Sequence, residues 1–344
     1  MVSMLIKCTA PIRICDLGGW TDTWFAGSGK VLNIAVFPYV EVLVNVSRKK
    51  EKQPQITIHA ENYGDSYNIK ANAKRWSKHP LIEAAFRLFN LSPDLRLEVS
   101  IFSEAPAGAS SGTSAAVSVA VIGALDFISG GTLTSHEIAA KAHYVETEML
   151  KLQSGIQDQL CSAYGGVNFI EMTEYPRATI SPIYLMEQII WELESRLLLI
   201  YLGKPHSSSE VHKTVISRLE SSPQFRKYLD PLRQAAEEGK RALLSGDLKA
   251  FGKTMIANTE AQLRLHSELV GERAHKVIEI AKKFDVIGWK VNGAGGSGGS
   301  VTLLMGENTR HKHALIEAIE SSHTDFKNIP IRLAPYGLRR WRVE

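Results

Sequence analysis

The sequence predicts an α+β protein of two domains, and three observations lead there. Its 344 residues are about twice the ~150 of an average domain. Apolar and polar residues alternate over 31–46, as on a half-buried strand, and beyond residue 190 the pattern becomes mostly helical. Apolar residues make up 44% and charged residues 22%, with only 13 prolines and 26 glycines. That composition excludes wholesale disorder and a collagen-like fibre.

Each element follows from a local signal. The alternation at 31–46 and a shorter run at 56–59 read as antiparallel strands joined by polar turns, with Arg48, Lys49, Lys50 and Lys52 as a solvated hairpin tip. Residues 81–89 read as a short helix and 95–102 as a strand. Residues 113–128 are so evenly apolar that their helix must be buried on several sides. Thr134 followed by Glu137 makes a capping box, opening a helix that runs to about residue 150. A strand at 167–171 and extended pieces to 185 complete this half, which places the domains at 1–190 and 191–344. The second half reads as a buried strand (197–201), a helix (208–219), and helix-forming sequence (223–269) broken near Ser245 and Gly246. A helix (272–284), two strands flanking a glycine run (287–291, 300–305), a helix (310–321) and a final strand (329–333) follow.

Charge and cysteine usage narrow the partners. A net charge of +4, dispersed along the chain, is no footprint of a nucleic-acid binder. The uncharged apolar stretch at 115–125 is far below the ~18 residues of a membrane span, and the run at 1–7 is too short for a signal peptide. Cys8, Cys15 and Cys161 match neither a disulfide framework nor a metal knuckle, so a reducing, cytoplasmic setting is expected. Nothing in the sequence bears on oligomeric state.

Three segments combine glycine, small hydroxyls and charge. In 106–116 (PAGASSGTSAA) a small-residue loop joins a strand to a helix. The first-turn amides of Gly112, Thr113 and Ser114 would lack intrahelical partners there, a place suited to a triphosphate, with the Ser114 hydroxyl in reach of a bridging magnesium. The same residues also satisfy G-x-S-x-G through Gly108, Ser110 and Gly112, the nucleophile elbow of a serine hydrolase, although the elbow needs a strand running straight into its turn. A plainly capped helix is a third reading. Gly29 and Lys30 fail as a Walker A loop because Trp24 and Val31 occupy its key positions. Gly293, Gly295 and Gly298 match G-x-G-x-x-G but lead into a strand rather than a helix. The run 292–300 (NGAGGSGGS) is so stripped of side chains that close approach of a backbone or a ligand is expected. Asp158, in the short polar interval SGIQDQL, suits a general base, a charge partner or a helix cap. Glu146 and Glu148 lie two apart, so at most one of them shares a site with Asp158.

Together these segments resemble the GHMP kinases, with three motifs in the family's order. Residues 10–22 (APIRICDLGGWTD) are similar to the galactokinase opening, 106–116 to the family's P-x-x-x-G-L-G-S-S-A-A, and 293–299 to its closing glycine run. Ser110 and Ser111 replace the usual Gly-Leu pair and Thr113 a Ser. Gly19 and Trp20 stand where galactokinases carry Glu and His, which argues against galactose. The segment LGGWTDT (17–23), the trio Gln157, Asp158, Gln159 with Gly165 and Gly166, and residues 201–209 resemble the branch of fucokinase and the heptose phosphate kinases.

The resemblance implies a domain like ribosomal protein S5 domain 2 followed by a ferredoxin-like domain, with the active site in the cleft between them. It implies an ATP- and Mg2+-dependent kinase acting on a sugar or sugar phosphate at the anomeric hydroxyl, or on another alcohol such as mevalonate; a non-catalytic sugar sensor is the remaining alternative. Carried over, Asp158 is the catalytic base and Arg13 its basic partner, while Ser114 and Glu146 are the magnesium ligands. ATP falls to Pro106, Gly108, Ala109, Ser110, Ser111, Gly112, Thr113 and Ser114, with Gly293, Gly295 and Gly296. The acceptor falls to Gly18, Gly19, Trp20, Asp22 and Asp158. An acceptor phosphate would need a second anion site, for which Lys30, Arg177, Lys204 and His206 are the candidates.

Overall fold

The computed structural model describes residues 3–70, 75–203, 210–221 and 223–343. Two long antiparallel strands, β1 (Met4–Leu17) and β2 (Gly29–Arg48), are the spine of a nine-stranded sheet. From Cys8 onward β1 is buried on both faces, so it carries no period-2 pattern for sequence reading to detect. The sheet continues through β3 (Ile56–Ala60), β4 (Asp65–Ile69) and β5 (Leu95–Ser103), but not in chain order. The expected pairing of 31–46 with 56–59 is corrected: β5 lies between them, and β3 runs parallel to it. The backbone bond from Lys49 N to Asp94 O closes β2 onto β5, whose register runs from Val40 to Arg48, a longer ladder than the five-residue β3 can offer.

Around this spine pack α1 (Pro80–Phe86), α2 (Thr113–Ile128), α3 (Ser135–Tyr144), a π-helical turn (Val145–Met149) and α4 (Gln157–Tyr164). Helix α2 has the bounds its apolar run predicts. The capping box is present too, with Thr134 Oγ1 accepting from Glu137 N and Glu137 Oε2 accepting from Thr134 N. Next come β6 (Val167–Glu174), paired with the first part of β2, and β7 (Arg177–Ile183). Helix α5 (Glu187–Arg196) escapes sequence reading because Leu193 alone on it is buried.

Strand β8 (Leu197–Tyr201) opens a second, four-stranded antiparallel sheet. Between its strands run α6 (Glu210–Ser221), α7 (Asp230–Ser245), α8 (Leu248–Leu265) and α9 (Glu272–Ala281), with the expected break at Gly246 in left-handed conformation. Then follow β9 (Val286–Val291), β10 (Ser300–Met305), α10 (Lys312–Ser322) and β11 (Lys327–Ile329), giving the order β11-β8-β10-β9. The single final strand expected at 329–333 is split at Pro330, which has no amide for a ladder. Beyond it the chain leaves the second sheet: β12 (Arg332–Leu333) pairs with β2 and β13 (Arg339–Val343) with β1. The last residues of the 191–344 segment therefore belong to the first sheet.

One apolar cluster joins Ile12, Ile14 and Leu17 of β1 to Leu199, Phe251, Met255 and Leu304. Both halves meet on this shared core. The three cysteines are buried and free, and burial pushes the Cys8 and Cys15 thiols up to about 12.

Candidate active site

The site begins where β1 leaves its ladder. Pairing with β2 slips between Ile14 and Leu17, and Cys15 takes a positive φ of 52°. This bulge turns the chain into the cleft. Just before it, Arg13 N donates to Ser111 O at 2.9 Å, tying β1 to the loop ahead of α2. The Arg13 guanidinium grips Asp158 at two points, Nε to Oδ1 at 2.8 Å and Nη2 to Oδ2 at 3.1 Å, while Nη1 donates to Ser110 O. Burial works against the charge on Arg13, but Asp158 and Asp16 outweigh it and hold the guanidinium cationic.

The loop ahead of α2 has positive φ at Gly108, Ser110 and Gly112, so it curls into a concave backbone. Gly112 is the N-cap and has no side chain to cover the first-turn amides. A Cβ on Gly112 would stand 3.3 Å from both Arg13 Cγ and Asp158 Cγ. Residues Gly108 to Ser114, Arg13, Asp158 and Gly293 line one cavity of 410 Å3, and Trp20, Asp22 and Glu146 line it as well. Pro106 stays outside the lining and shapes the turn, its carbonyl accepting from Ala109 N at 3.2 Å. Ser110 Oγ is buried, and a Cβ on Gly299 would lie 2.5 Å from it. An elbow nucleophile must present its oxygen to the substrate, so this placement speaks against the hydrolase reading.

Several expected site glycines serve packing instead. A Cβ on Gly18 would lie 1.9 Å from Lys30 O, and one on Gly19 2.8 Å from Asp16 Oδ2; neither glycine lines the cavity. Gly295 is pressed against Leu269 O, where a Cβ would come within 2.1 Å, and Gly296 N donates to Leu269 O at 2.9 Å. Within the closing glycine run only Gly293 and its neighbour Ala294 reach the cavity. Trp20 is both wall and core, lining the cavity while packing on Phe25 and edge-on to His212.

Glu146 and Glu148 separate as their spacing requires. Glu146 is buried on the cavity wall; Glu148 is exposed and pairs with Lys151. Burial pushes Glu146 up to about 7, Asp158 adding to the effect and Ser154 and Gln159 opposing it. Asp22, which accepts from Gln157 N at 3.0 Å, is pushed up to about 6, again mainly by burial. For Glu146 the unfolded chain titrates near the ordinary 4.5. Its contribution to stability is therefore complete below pH 4.5 and is lost as pH rises through 7. Glu146→Gln should match the wild type in Tm at pH 4 and exceed it at pH 8 in metal-free buffer. An equal Tm difference at the two pH values would contradict the assignment.

The site also holds residues that sequence reading did not single out: Asp16, Trp24, Phe25 and His212 line the cavity, and Lys290 lies buried behind it. Asp16 sits inside the first motif, and Lys290 is the one charged residue in the strand 286–291; these were the available signals. Of the proposed anion-binding candidates, Lys30 is bound to Glu237 and Arg177 pairs with Glu174 on an exposed edge, both away from the cavity. Lys204 and His206 lie outside the described residues.

Comparison with known proteins shows what this chain is similar to. Residues 80–166 match the GHMP kinases N terminal domain. The chain is 27% identical over 342 residues to a bifunctional fucokinase/GDP-fucose pyrophosphorylase of Arabidopsis thaliana, covering 93% of this chain and 31% of that protein, so it spans about a third of that relative. It is 23% identical over 346 residues to a D-glycero-alpha-D-manno-heptose 7-phosphate kinase of Campylobacter jejuni, covering 98% and 99% of the two chains. The crystal structure of a D-glycero-D-manno-heptose 1-phosphate kinase from Bacteroides thetaiotaomicron superposes with a TM-score of 0.75 at 21% identity, over 98% of this chain and 99% of that one. Among the described residues no helix is long and apolar enough to cross a membrane.

Proposed function

We propose, from the match of residues 80–166 to the GHMP kinases N terminal domain, that the chain is an ATP-dependent kinase of the cytoplasm that phosphorylates a sugar or sugar phosphate at its anomeric hydroxyl. One observation carries the reading: a carboxylate, Asp158, held at two points by Arg13, faces the same cavity as an uncapped, glycine-shaped helix N-terminus. Such a terminus favours a polyanion. A second cavity of 250 Å3, walled by Ile82, Ile101 and Val117, shares Gly108, Thr113 and Ser114 with the first. We assign the base of the nucleotide to this second cavity, its phosphates to the loop, and the acceptor to the wall of Trp20 and Asp22. We read residues 1–190, joined by the returning strands β12 and β13, as the S5-like domain and the rest of 191–344 as the ferredoxin-like one.

In the reaction Asp158 accepts the proton of the acceptor hydroxyl as its oxygen bonds to the γ-phosphorus. The bond from that phosphorus to the β-bridging oxygen breaks, and ADP leaves. Arg13 orients Asp158 and, lining the same cavity, offsets charge on the group in transfer. Asp22 accepts hydrogen bonds from acceptor hydroxyls.

The residues present fit a magnesium ion. Glu146 Oε1 is buried without a hydrogen-bond partner on the wall that Ser114 shares, and both offer hard oxygens. Among the described residues no group of three or more His, Cys, Asp or Glu side chains could hold a metal ion, so phosphate oxygens and water would complete the set. Ser114 and Glu146 would hold the ion, which supplies charge neutralisation on the phosphates. Glu146→Gln should raise the magnesium concentration for half-maximal activity by ~10-fold, within the usual range for perturbing a metal site. Glu148→Gln should leave it unchanged; equal shifts would sink the ligand assignment.

ADP release measured with fucose, heptose 7-phosphate, glucuronate and mevalonate, with NMR assignment of the phosphorylated oxygen, tests the proposal. A sugar 1-phosphate is the expected product. Activity on mevalonate alone would overturn the sugar reading, ligand binding without ADP release would identify a sensor, and Ser110-dependent cleavage of p-nitrophenyl esters would identify a hydrolase.

A further inference from the structure

An ion pair that takes no step in the chemistry above joins Asp16, on the cavity wall, to Lys290 behind it. Asp16 and Lys290 are both 0% exposed, and Lys290 Nζ stands 3.3 Å from Asp16 Oδ1. The ammonium has three protons and three acceptors: Asp16 Oδ1, Val291 O and Gln262 Oε1. Asp16 also accepts Gly293 N, 3.0 Å from each of its oxygens, and Gln262 Nε2 donates to Gly293 O at 3.0 Å. Both backbone groups of Gly293 are thus fixed by buried side chains. A Cβ on Gly293 would lie 3.2 Å from Ser110 O and 3.4 Å from Arg13 Nη2, and Ser110 O is itself an acceptor for Arg13. Polar contacts run from Lys290 through Asp16 to Gly293, whose backbone lies so near Ser110 and Arg13 that a side chain on it would crowd both, and Arg13 in turn holds Asp158. The arrangement also gives Gly19 a reason, since a side chain there would collide with Asp16.

We propose that Asp16 and Lys290 are a positioning pair for this active site: they anchor Gly293 beneath Arg13, and so fix the guanidinium against which Asp158 is aimed. The inference rests on the kinase reading of Asp158. A buried ion pair gives little net stability over an apolar pair of the same volume, because both charges leave water. What the apolar pair would lack is an acceptor for Gly293 N. The bulge at Cys15 turns Asp16 out of the β1 ladder to supply it.

Two double variants separate positioning from stability, because neither leaves a charge buried alone. D16N/K290M keeps an oxygen for Gly293 N; D16L/K290M removes it. The second should lose about 10²-fold in kcat, the size of effect a misplacement of about 1 Å can have, with KM for ATP unchanged, and the first should recover most of that loss. Proton exchange at Arg13 Nε, followed by NMR, should be faster than wild type in D16L/K290M only. Equal kcat and equal exchange in the two variants would overturn the proposal. A kcat that merely follows Tm, or failure of both variants to fold, would make the pair structural and overturn it equally. Absence of ADP release from the wild type would refute the kinase reading instead, leaving the exchange measurement to judge the anchor.

Discussion

Asp158→Asn should lower kcat by ~10²- to 10⁴-fold, the range for loss of a general base, while ATP affinity stays near wild type. The amide keeps the size of the carboxylate and one oxygen for Arg13, so the pocket should remain intact. What it loses is the ability to take the acceptor's proton. Asp158 stands in the first turn of α4 beside Arg13, and the amides of the α2 N-terminus approach the cavity from a different element. Nucleotide binding and proton transfer are therefore separable. Turnover by coupled ADP release and ATP affinity by calorimetry would show the split. Near-normal turnover would remove Asp158 from the role of base, and loss of ATP binding would recast it as structural.

Gly165→Ala should cost about 3–5 kcal/mol of stability, from a backbone region nearly restricted to glycine and from overpacking. Gly165 ends α4 with φ 70° and ψ −176°, and a Cβ there would lie 2.1 Å from the carbonyl carbon of Tyr336. Nothing at that contact can yield cheaply, because both sides are backbone. The crossing is also where the C-terminal residues rejoin the first sheet, with Gly166 N donating to Ala334 O and Ala334 N to Ala35 O. Gly64 is the comparison: it too has a positive φ, but its Cβ would meet nothing within 4 Å. Gly64→Ala should cost only ~1 kcal/mol, the left-handed conformation alone. Chemical denaturation of both variants tests the difference, and similar losses would refute the close-approach argument.

The features legible in the sequence are those set within a few residues of chain. The bounds of α2, the capping box at Thr134 and the break at Gly246 each depend on side chains acting on their own or adjacent turns. Ser114 was legible inside its motif, Asp158 in its short polar interval and Glu146 through the family resemblance, and the opposite facing of Glu146 and Glu148 follows from helical geometry. Tertiary structure decided the rest. It set β5 between β2 and β3, returned β12 and β13 to the first sheet, moved Gly18, Gly19, Gly295 and Gly296 from ligand to packing, and brought Asp16 to Gly293 across 277 positions. Loop closure costs so little more as a loop lengthens that sequence separation hardly distinguishes one distant partner from another. A buried charge such as Lys290 has its meaning only through the carboxylate that packing places beside it, and no local pattern records that partner.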